Sequence, residues 1–72
     1  MMNLQQLFNH LSVSDLEFNY KGKWYFICPI NNVYSAGEAN KDDTKYKTFE
    51  DLVNNFQVEG KPLKDILERI DW

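Results

Sequence analysis

Three stretches of the chain repeat apolar residues at i, i+3, i+4 and i+7, the stripe that one face of an amphipathic helix presents. Leu4, Leu7, Phe8 and Leu11 form the first, opened by Asn3 with Gln6 three residues on, a capping-box arrangement. Phe49, Leu52, Val53 and Phe56 form the second, behind Thr48 and with Asp51 near the N-terminus, where the helix dipole favours an acid. Leu63, Ile66, Leu67 and Ile70 form the third. Gly60 ends the connection before it, and Pro62 suits a first turn whose N–H groups have no partner within the helix. Lys64/Glu68 and Asp65/Arg69 fall i,i+4 on its opposite face.

Between the first and second stripes the period changes to two. Leu16 and Phe18 alternate with Glu17 and Asn19, Tyr20-Lys21-Gly22 follows, and an apolar run extends from Lys23 to Ile30. Asn31-Asn32 then precedes Val33 to Ala39; asparagine tolerates positive φ, so this pair fits a two-residue hairpin turn. The pattern predicts a three-stranded antiparallel meander at 15–19, 23–29 and 33–39. Residues 40–47, NKDDTKYK, are polar and unpatterned and read as a solvated loop. The fold class expected is α+β, one domain over 1–72: an N-terminal helix, the meander, and two C-terminal helices packed on the sheet.

The register of the first hairpin decides which aromatic residues face the helices. With a three-residue loop and Gly22 in the left-handed position, Phe18 opposes Trp24 and Leu16 opposes Phe26. One face then holds Leu16, Phe18, Trp24, Phe26, Cys28, Ile30 and Val33, beside small Ser35, Gly37 and Ala39 that leave room for a helix. A two-residue loop at Lys21-Gly22 slips β-strand pairing by one and sets Leu16 and Phe18 with Tyr25 and Ile27 instead. The first register segregates apolar from polar residues better and is preferred at this level.

Three strands at about 4.8 Å spacing make a face roughly 14 Å wide, and a helix with side chains is roughly 10–12 Å across. Two helices share such a face obliquely; a third must stack on another helix, cover the second face or await a partner. If the second face stays open, Tyr25, Ile27, Pro29 and Tyr34 form an exposed aromatic patch, the kind of surface that marks protein interfaces. Tyr46 and Trp72 are likewise surplus to the core in this register, and tryptophan is over-represented among interface hot spots. The candidate partner-binding residues are therefore Tyr25, Ile27, Tyr34, Tyr46 and Trp72.

Composition sharpens this picture. In 72 residues there are five Phe, four Tyr and two Trp, which is how so short a chain assembles a dense core. The same composition disfavours disorder. With Cys28 as the lone cysteine, a disulfide scaffold is excluded, and no Cys/His cluster suits structural zinc. The start MMNLQQLFNHLS lacks the features of a secretory signal, and no run approaches the ~20 apolar residues of a membrane span. A small acidic protein of the reduced cytoplasm is the expectation. Seven lysines against one arginine, with eight asparagines, point to an A/T-rich bacterial or phage genome.

No catalytic constellation emerges. Cys28 and His10 are the only thiol and imidazole, yet Cys28 alternates with Phe26 and Ile30 as a small core residue does. Gly60-Lys61 fails the phosphate-loop pattern, which needs glycine where Asn55 stands and Ser or Thr where Pro62 stands. Asp42 and Asp43 with Glu38 lack calcium-loop spacing. No cofactor or metal is expected. Lys21, Lys23, Trp24 and Tyr25, with Lys45, Tyr46 and Lys47, interleave basic and aromatic residues as single-strand nucleic-acid binders do. A net charge of −3 and a pI near 4.9 disfavour that use, because phosphate neutralisation dominates nucleic-acid affinity.

The run from Thr48 to Ile66, TFEDLVNNFQVEGKPLKDI, resembles a recurrent ending of short uncharacterised proteins of low-G+C Gram-positive bacteria and their phages or prophages. The hairpin KGKWYFI at Lys21–Ile27 resembles theirs more loosely, and together the two cover about half the chain. The likeness lies in core and turn residues, so it implies shared architecture and carries over no functional residue. It implies a small accessory protein that binds and inhibits a host or defence protein. The functional expectation is a non-enzymatic protein that binds another protein or itself, with single-stranded nucleic acid as the alternative.

Overall fold

The computed structural model describes residues 3–70. Helix α1 (Leu4–Leu11) leads into strands β1 (Leu16–Tyr20), β2 (Lys23–Ile30), β3 (Val33–Glu38) and β4 (Thr44–Tyr46). Helix α2 (Phe49–Asn55) follows, then a small ribbon of β5 (Gln57–Val58) and β6 (Lys61–Pro62), helix α3 (Leu63–Ile66) and a 3-10 turn at Leu67–Arg69. The α+β class, the N-terminal helix, the antiparallel meander and the C-terminal helical segment all match the sequence pattern.

The predicted caps close the first two helices. Asn3 Oδ1 accepts from the Gln6 amide at 2.8 Å, and Gln6 Oε1 accepts from the Asn3 amide at 3.0 Å. Thr48 Oγ1 accepts from the Asp51 amide at 3.0 Å, while Asp51 Oδ2 accepts from the Lys47 amide at 3.3 Å. The bonds to Asn3 Oδ1 and Thr48 Oγ1 satisfy donors that a helix start leaves without an intrahelical partner, and those to Gln6 and Asp51 fix the entering chain against the first turn.

Three features depart from the expectation. The segment predicted as a loop at 40–47 contributes β4, so the sheet has four strands in the order β1-β2-β3-β4 rather than three. Three residues are too few to show a period; β4 is held by pairing Tyr46 with Tyr34 and Thr44 with Ala36. Second, α3 is a single turn that tightens into the 3-10 segment, with the Ile70 amide bonded to the Leu67 carbonyl at 3.2 Å. Leu63, Ile66, Leu67 and Ile70 are nonetheless all buried, so the stripe marks an inward side rather than a helix length. Third, Glu59-Gly60 is the turn of the β5–β6 ribbon, with φ of 53° and 79°.

The largest correction concerns register. Lys21 and Gly22 both have positive φ, 53° and 82°, as the two central residues of a type I′ hairpin require. Asn31 and Asn32, at 49° and 68°, repeat the device in the second hairpin, as predicted. Asn19 Oδ1 accepts from the Gly22 amide at 3.2 Å, and the Lys21 ammonium lies 5.5 Å from the centre of the Tyr20 ring. These local interactions offset the strain of a non-glycine residue at positive φ. A two-residue loop pairs Leu16 with Ile27 and Phe18 with Tyr25, one residue away from the preferred expectation. Every β2 side chain is thereby on the face opposite to the one assigned. Tyr25 and Ile27 go under the helices; Trp24, Phe26, Cys28 and Ile30 face outward.

The closed face is a continuous aromatic and aliphatic core. Leu7, Ile27, Leu52, Val58, Leu63 and Ile66 are fully buried within it. Phe18 stacks on Tyr25 with ring centres 5.5 Å apart, Tyr25 meets Phe56 edge-on at 6.4 Å, and Phe56 meets Tyr46 at 6.0 Å. Phe49 joins the layers, edge-on to Tyr34 at 6.2 Å and to Phe8 at 5.2 Å. α1 packs over β2, α2 lies beside β4, and α3 stacks on α2, which is how three helical segments share one sheet face.

Stability separates the two registers. Ile27→Ala is expected to cost about 2–5 kcal/mol, the usual loss for a fully buried aliphatic side chain, and Ile27→Val about 1 kcal/mol. Trp24→Ala is expected to change stability by less than about 0.5 kcal/mol, as at exposed positions generally. Urea unfolding monitored by far-UV circular dichroism checks the order; the slipped register reverses it.

Candidate functional site

β2 carries the open face. Its outward residues run Trp24, Phe26, Cys28 and Ile30, with Trp24 56% and Ile30 45% exposed and Phe26 and Cys28 half-buried. The antiparallel register places Asn19 beside Trp24, Glu17 beside Phe26, and Gly37, Ser35 and Val33 on the other side, beside Phe26, Cys28 and Ile30. An apolar column thus lies between a polar strand and a strand of mostly small residues.

The small residues explain the second wall. Gly37 and Ser35 are buried on this outer face, although among the described residues no helix covers them. The chain folds back over them after β3, starting with the Ala39 amide bonded to the Trp24 carbonyl at 2.8 Å and the Lys41 amide bonded to the Glu38 carbonyl at 3.1 Å. A β-carbon at Gly37 would stand 3.0 Å from the Asp42 carbonyl oxygen and 3.2 Å from the Asp43 Cα, so only glycine lets the loop lie this close. The Ser35 hydroxyl donates to the Asp43 carboxylate. That bond, with the nearby Lys45 as a lesser contributor, holds the Asp43 carboxyl below its ordinary pKa and therefore ionised at neutral pH. The room that the sequence reserved for a helix is taken by the chain's own loop.

The result is a shallow trough of about 430 Å³ over β2, lined by Trp24, Phe26 and Cys28 on its floor, by Asp15 and Glu17 along one side and by Ala39 and Asn40 along the other. The carboxylates of Asp15 and Glu17 stand on the β1 side, while on the loop side Asp42 and Asp43 are matched by Lys41 and Lys45. Burial, followed by a hydrogen bond to the Asp15 carboxylate and that group's charge, pushes the Cys28 thiol pKa up. A nucleophilic cysteine needs the opposite shift. His10 Nε2 lies 2.9 Å from the Asp15 backbone carbonyl and 3.1 Å from Ser14 Oγ.

A second concavity of about 410 Å³ opens on the helical side, between β2–β4 and the β5–β6 ribbon. Lys23 Nζ and Glu59 Oε1 are 3.1 Å apart, and the Tyr25 hydroxyl donates to the same oxygen at 3.3 Å. Glu59 is lowered from its ordinary 4.5, chiefly by the hydrogen bond from Lys23. Lys23 is raised from 10.5, chiefly by the same bond. Tyr25 is raised from 10.0, chiefly by burial. These groups satisfy one another and tie the ribbon to the first hairpin.

The candidate residues fall apart accordingly. Tyr25 and Ile27 are 5% and 0% exposed beneath the helical layer, so they are not the exposed aromatic patch expected of them. Tyr34 and Tyr46 pair across β3 and β4 and pack, partly buried, against the core. Trp72 lies outside the described residues. Of the basic–aromatic set, Lys23 is engaged with Glu59, and the pairing register sets it roughly 19 Å from Lys45, so the two basic groups do not form one surface. Gly60-Lys61 belongs to the ribbon turn, and Asp43 serves the β3 loop. Among the described residues no group of three or more His, Cys, Asp or Glu is placed to hold a metal ion, and no helix is long and apolar enough to cross a membrane.

The residues missed are Trp24, Phe26 and Ile30. Lys21-Gly22 as a two-residue turn was the available signal, with Asp15 and Glu17 marking the outward side of β1. Comparison with protein-family models, curated proteins and solved structures finds no significant match to this chain.

The Lys23–Glu59 pair sets a pH window. Glu59, depressed in the fold, contributes stability that is complete above its ordinary 4.5 and lost as pH falls through the lower folded value. Lys23, raised in the fold, contributes below 10.5 and loses that contribution as pH rises through the higher folded value. Thermal melts of the wild type and Glu59→Gln are expected to differ near neutral pH and to converge as pH falls through the depressed folded value of Glu59, with the difference shrinking in high salt.

Proposed function

We propose that the chain is a small non-enzymatic protein whose work is to bind another protein through the open face of its sheet. The observation that carries this is the apolar column on β2, with Trp24 more than half exposed at one end and Ile30 at the other. A small acidic domain gains nothing in stability from holding a tryptophan in water on a strand whose opposite side is fully packed. Contiguous apolar surface of this kind is a usual mark of interfaces, and tryptophan is the residue most often found at their energetic centre. A regulatory or inhibitory role agrees with the resemblance to phage- and prophage-borne accessory proteins. Single-stranded nucleic acid is the weaker alternative, because the basic residues are divided between two ends of the sheet.

The test is affinity capture from a lysate of a low-G+C Gram-positive bacterium, with the wild-type protein and Trp24→Asp immobilised side by side. Trp24 is exposed, so the variant is expected to fold with wild-type circular dichroism. A protein retained by the wild type and reduced about thirtyfold on the variant supports the proposal, that being the factor for a hot-spot loss of about 2 kcal/mol. Equal retention on both surfaces, or retention of labelled single-stranded DNA in a salt-sensitive manner, overturns it.

A further inference from the structure

We infer that the trough over β2 receives an arginine side chain of the partner protein, its guanidinium lying over the Trp24 ring and donating to the Glu17 carboxylate. This rests on the protein-binding proposal and names the group that the face recognises. Three observations lead to it.

The first is where the charge lies. The charged side chains lining the trough are Asp15 and Glu17, both on the β1 side; the floor is apolar, and Ala39 and Asn40 opposite are neutral. Asp15 is already the hydrogen-bond partner of the Cys28 thiol. Glu17 is exposed, and among the described residues no hydrogen bond or ion pair engages its carboxylate. Asp15 thus belongs to the floor, and Glu17 is the group left to meet an occupant.

The second is the aromatic surface beside that carboxylate. Glu17 pairs with Phe26 across the β1–β2 ladder, with β-carbons about 5 Å apart, and stands diagonal to Trp24 at about 7 Å. Trp24 is more than half exposed. An indole face attracts a cation within about 6 Å of the ring centre. One cationic group therefore reaches the ring and the carboxylate together. Among the described residues the chain supplies no such group itself. Lys21 lies on the Tyr20 ring, Lys23 is paired with Glu59, and Lys41 and Lys45 stand beside Asp42 and Asp43.

The third is the floor. Its peptide groups are bonded to the neighbouring strands, so it offers an occupant no acceptors. An ammonium is a compact, strongly hydrated charge, and pressed on such a floor it loses water that nothing replaces. A guanidinium is planar and more weakly hydrated. It stacks on an aromatic ring and keeps its donors at its edge, where a carboxylate accepts two of them in parallel.

The probe is the tripeptide Ala-Arg-Ala, acetylated and amidated, compared with the same peptide carrying lysine or citrulline, the latter an uncharged group of arginine's shape. Each is titrated to about 20 mM into the 15N-labelled full chain and followed by amide and indole N–H chemical shifts. The arginine peptide is expected to bind with a Kd of about 1–10 mM and to shift Glu17, Trp24 and Phe26. The lysine and citrulline peptides are each expected to bind about fivefold more weakly, the upper end for an exposed ion pair. Glu17→Gln is expected to weaken the arginine peptide by the same factor and to leave the citrulline peptide unchanged, which a general disturbance of the face would not do. Trp24→Ala, at an exposed position, is expected to keep wild-type circular dichroism and to lose binding of all three. Equal binding of the citrulline or lysine peptide, or an arginine peptide indifferent to Glu17→Gln, overturns the inference. Shifts away from β1 and β2, or no shift at about 20 mM, also overturn it. So does a dimer in sedimentation that Trp24→Ala dissolves, which would assign the face to a second copy. A lysate partner that needs Trp24 but ignores Glu17→Gln overturns this inference while leaving the protein-binding proposal standing.

Discussion

Everything on the sheet follows from the number of residues in one turn. Lys21 and Gly22 both occupy the left-handed region, and the two-residue loop they make sets the parity of β2 against β1. Side chains alternate along a strand with a period of two, so a loop longer by one residue would invert the whole of β2. With the turn as it is, Ile27 is sealed under α1 and Trp24 stands in water. Glycine is well suited to the second position, and Asn19 and the Tyr20 ring steady the first. The closed and open faces of the protein are thus both consequences of a local backbone conformation.

The remaining packing is organised by what each face accepts. On the inner side, rings from all four sheet strands, α1, α2 and its C-cap form a linked series from Phe18 through Tyr25 and Phe56 to Tyr46, with Phe49 bridging Phe8 and Tyr34. In a chain this short, aromatic rings supply buried area that a larger domain draws from more numerous aliphatic residues. On the outer side, no helix arrives among the described residues. The Gly37 backbone and the Ser35 hydroxyl instead receive the 39–43 loop, which ends by aligning β4 on the edge of the sheet. Closing half of the outer face in this way leaves the β2 column open as a trough with defined sides.

That division bears on function more than any single residue. An exposed tryptophan by itself is unremarkable, because much of any folded surface is apolar. Here the tryptophan is the end of a continuous apolar column, bordered by Asp15 and Glu17 on the β1 side and by the 39–43 loop on the other. The lone thiol sits on the same floor, its pKa pushed up by burial and by the neighbouring Asp15. The opposite concavity spends its polar groups on one another: Lys23, Tyr25 and Glu59 form a closed set that ties the β5–β6 ribbon to the first hairpin.

By itself the sequence determined the helix starts, the inward stripes and the second hairpin, because these depend on interactions within a few residues. Asn3 with Gln6, Thr48 with Asp51, and Asn31-Asn32 each carry their own geometry. It also marked Ser35 and Gly37 as a place of close approach, though not what would approach. For the first hairpin the sequence offered both registers and the structure chose between them, while the existence of β4 and the occupant of the space over Gly37 were decided by the tertiary structure alone. Tyr25 and Trp24 are adjacent, similar in size and equally able to face either way. Their fates diverge only because a two-residue turn delivers Ile27 and Tyr25, rather than Phe26 and Trp24, to the side where α1, α2 and α3 bury them. A pattern of alternating residues defines two faces; which of them meets water is settled by the packing of segments distant in the chain.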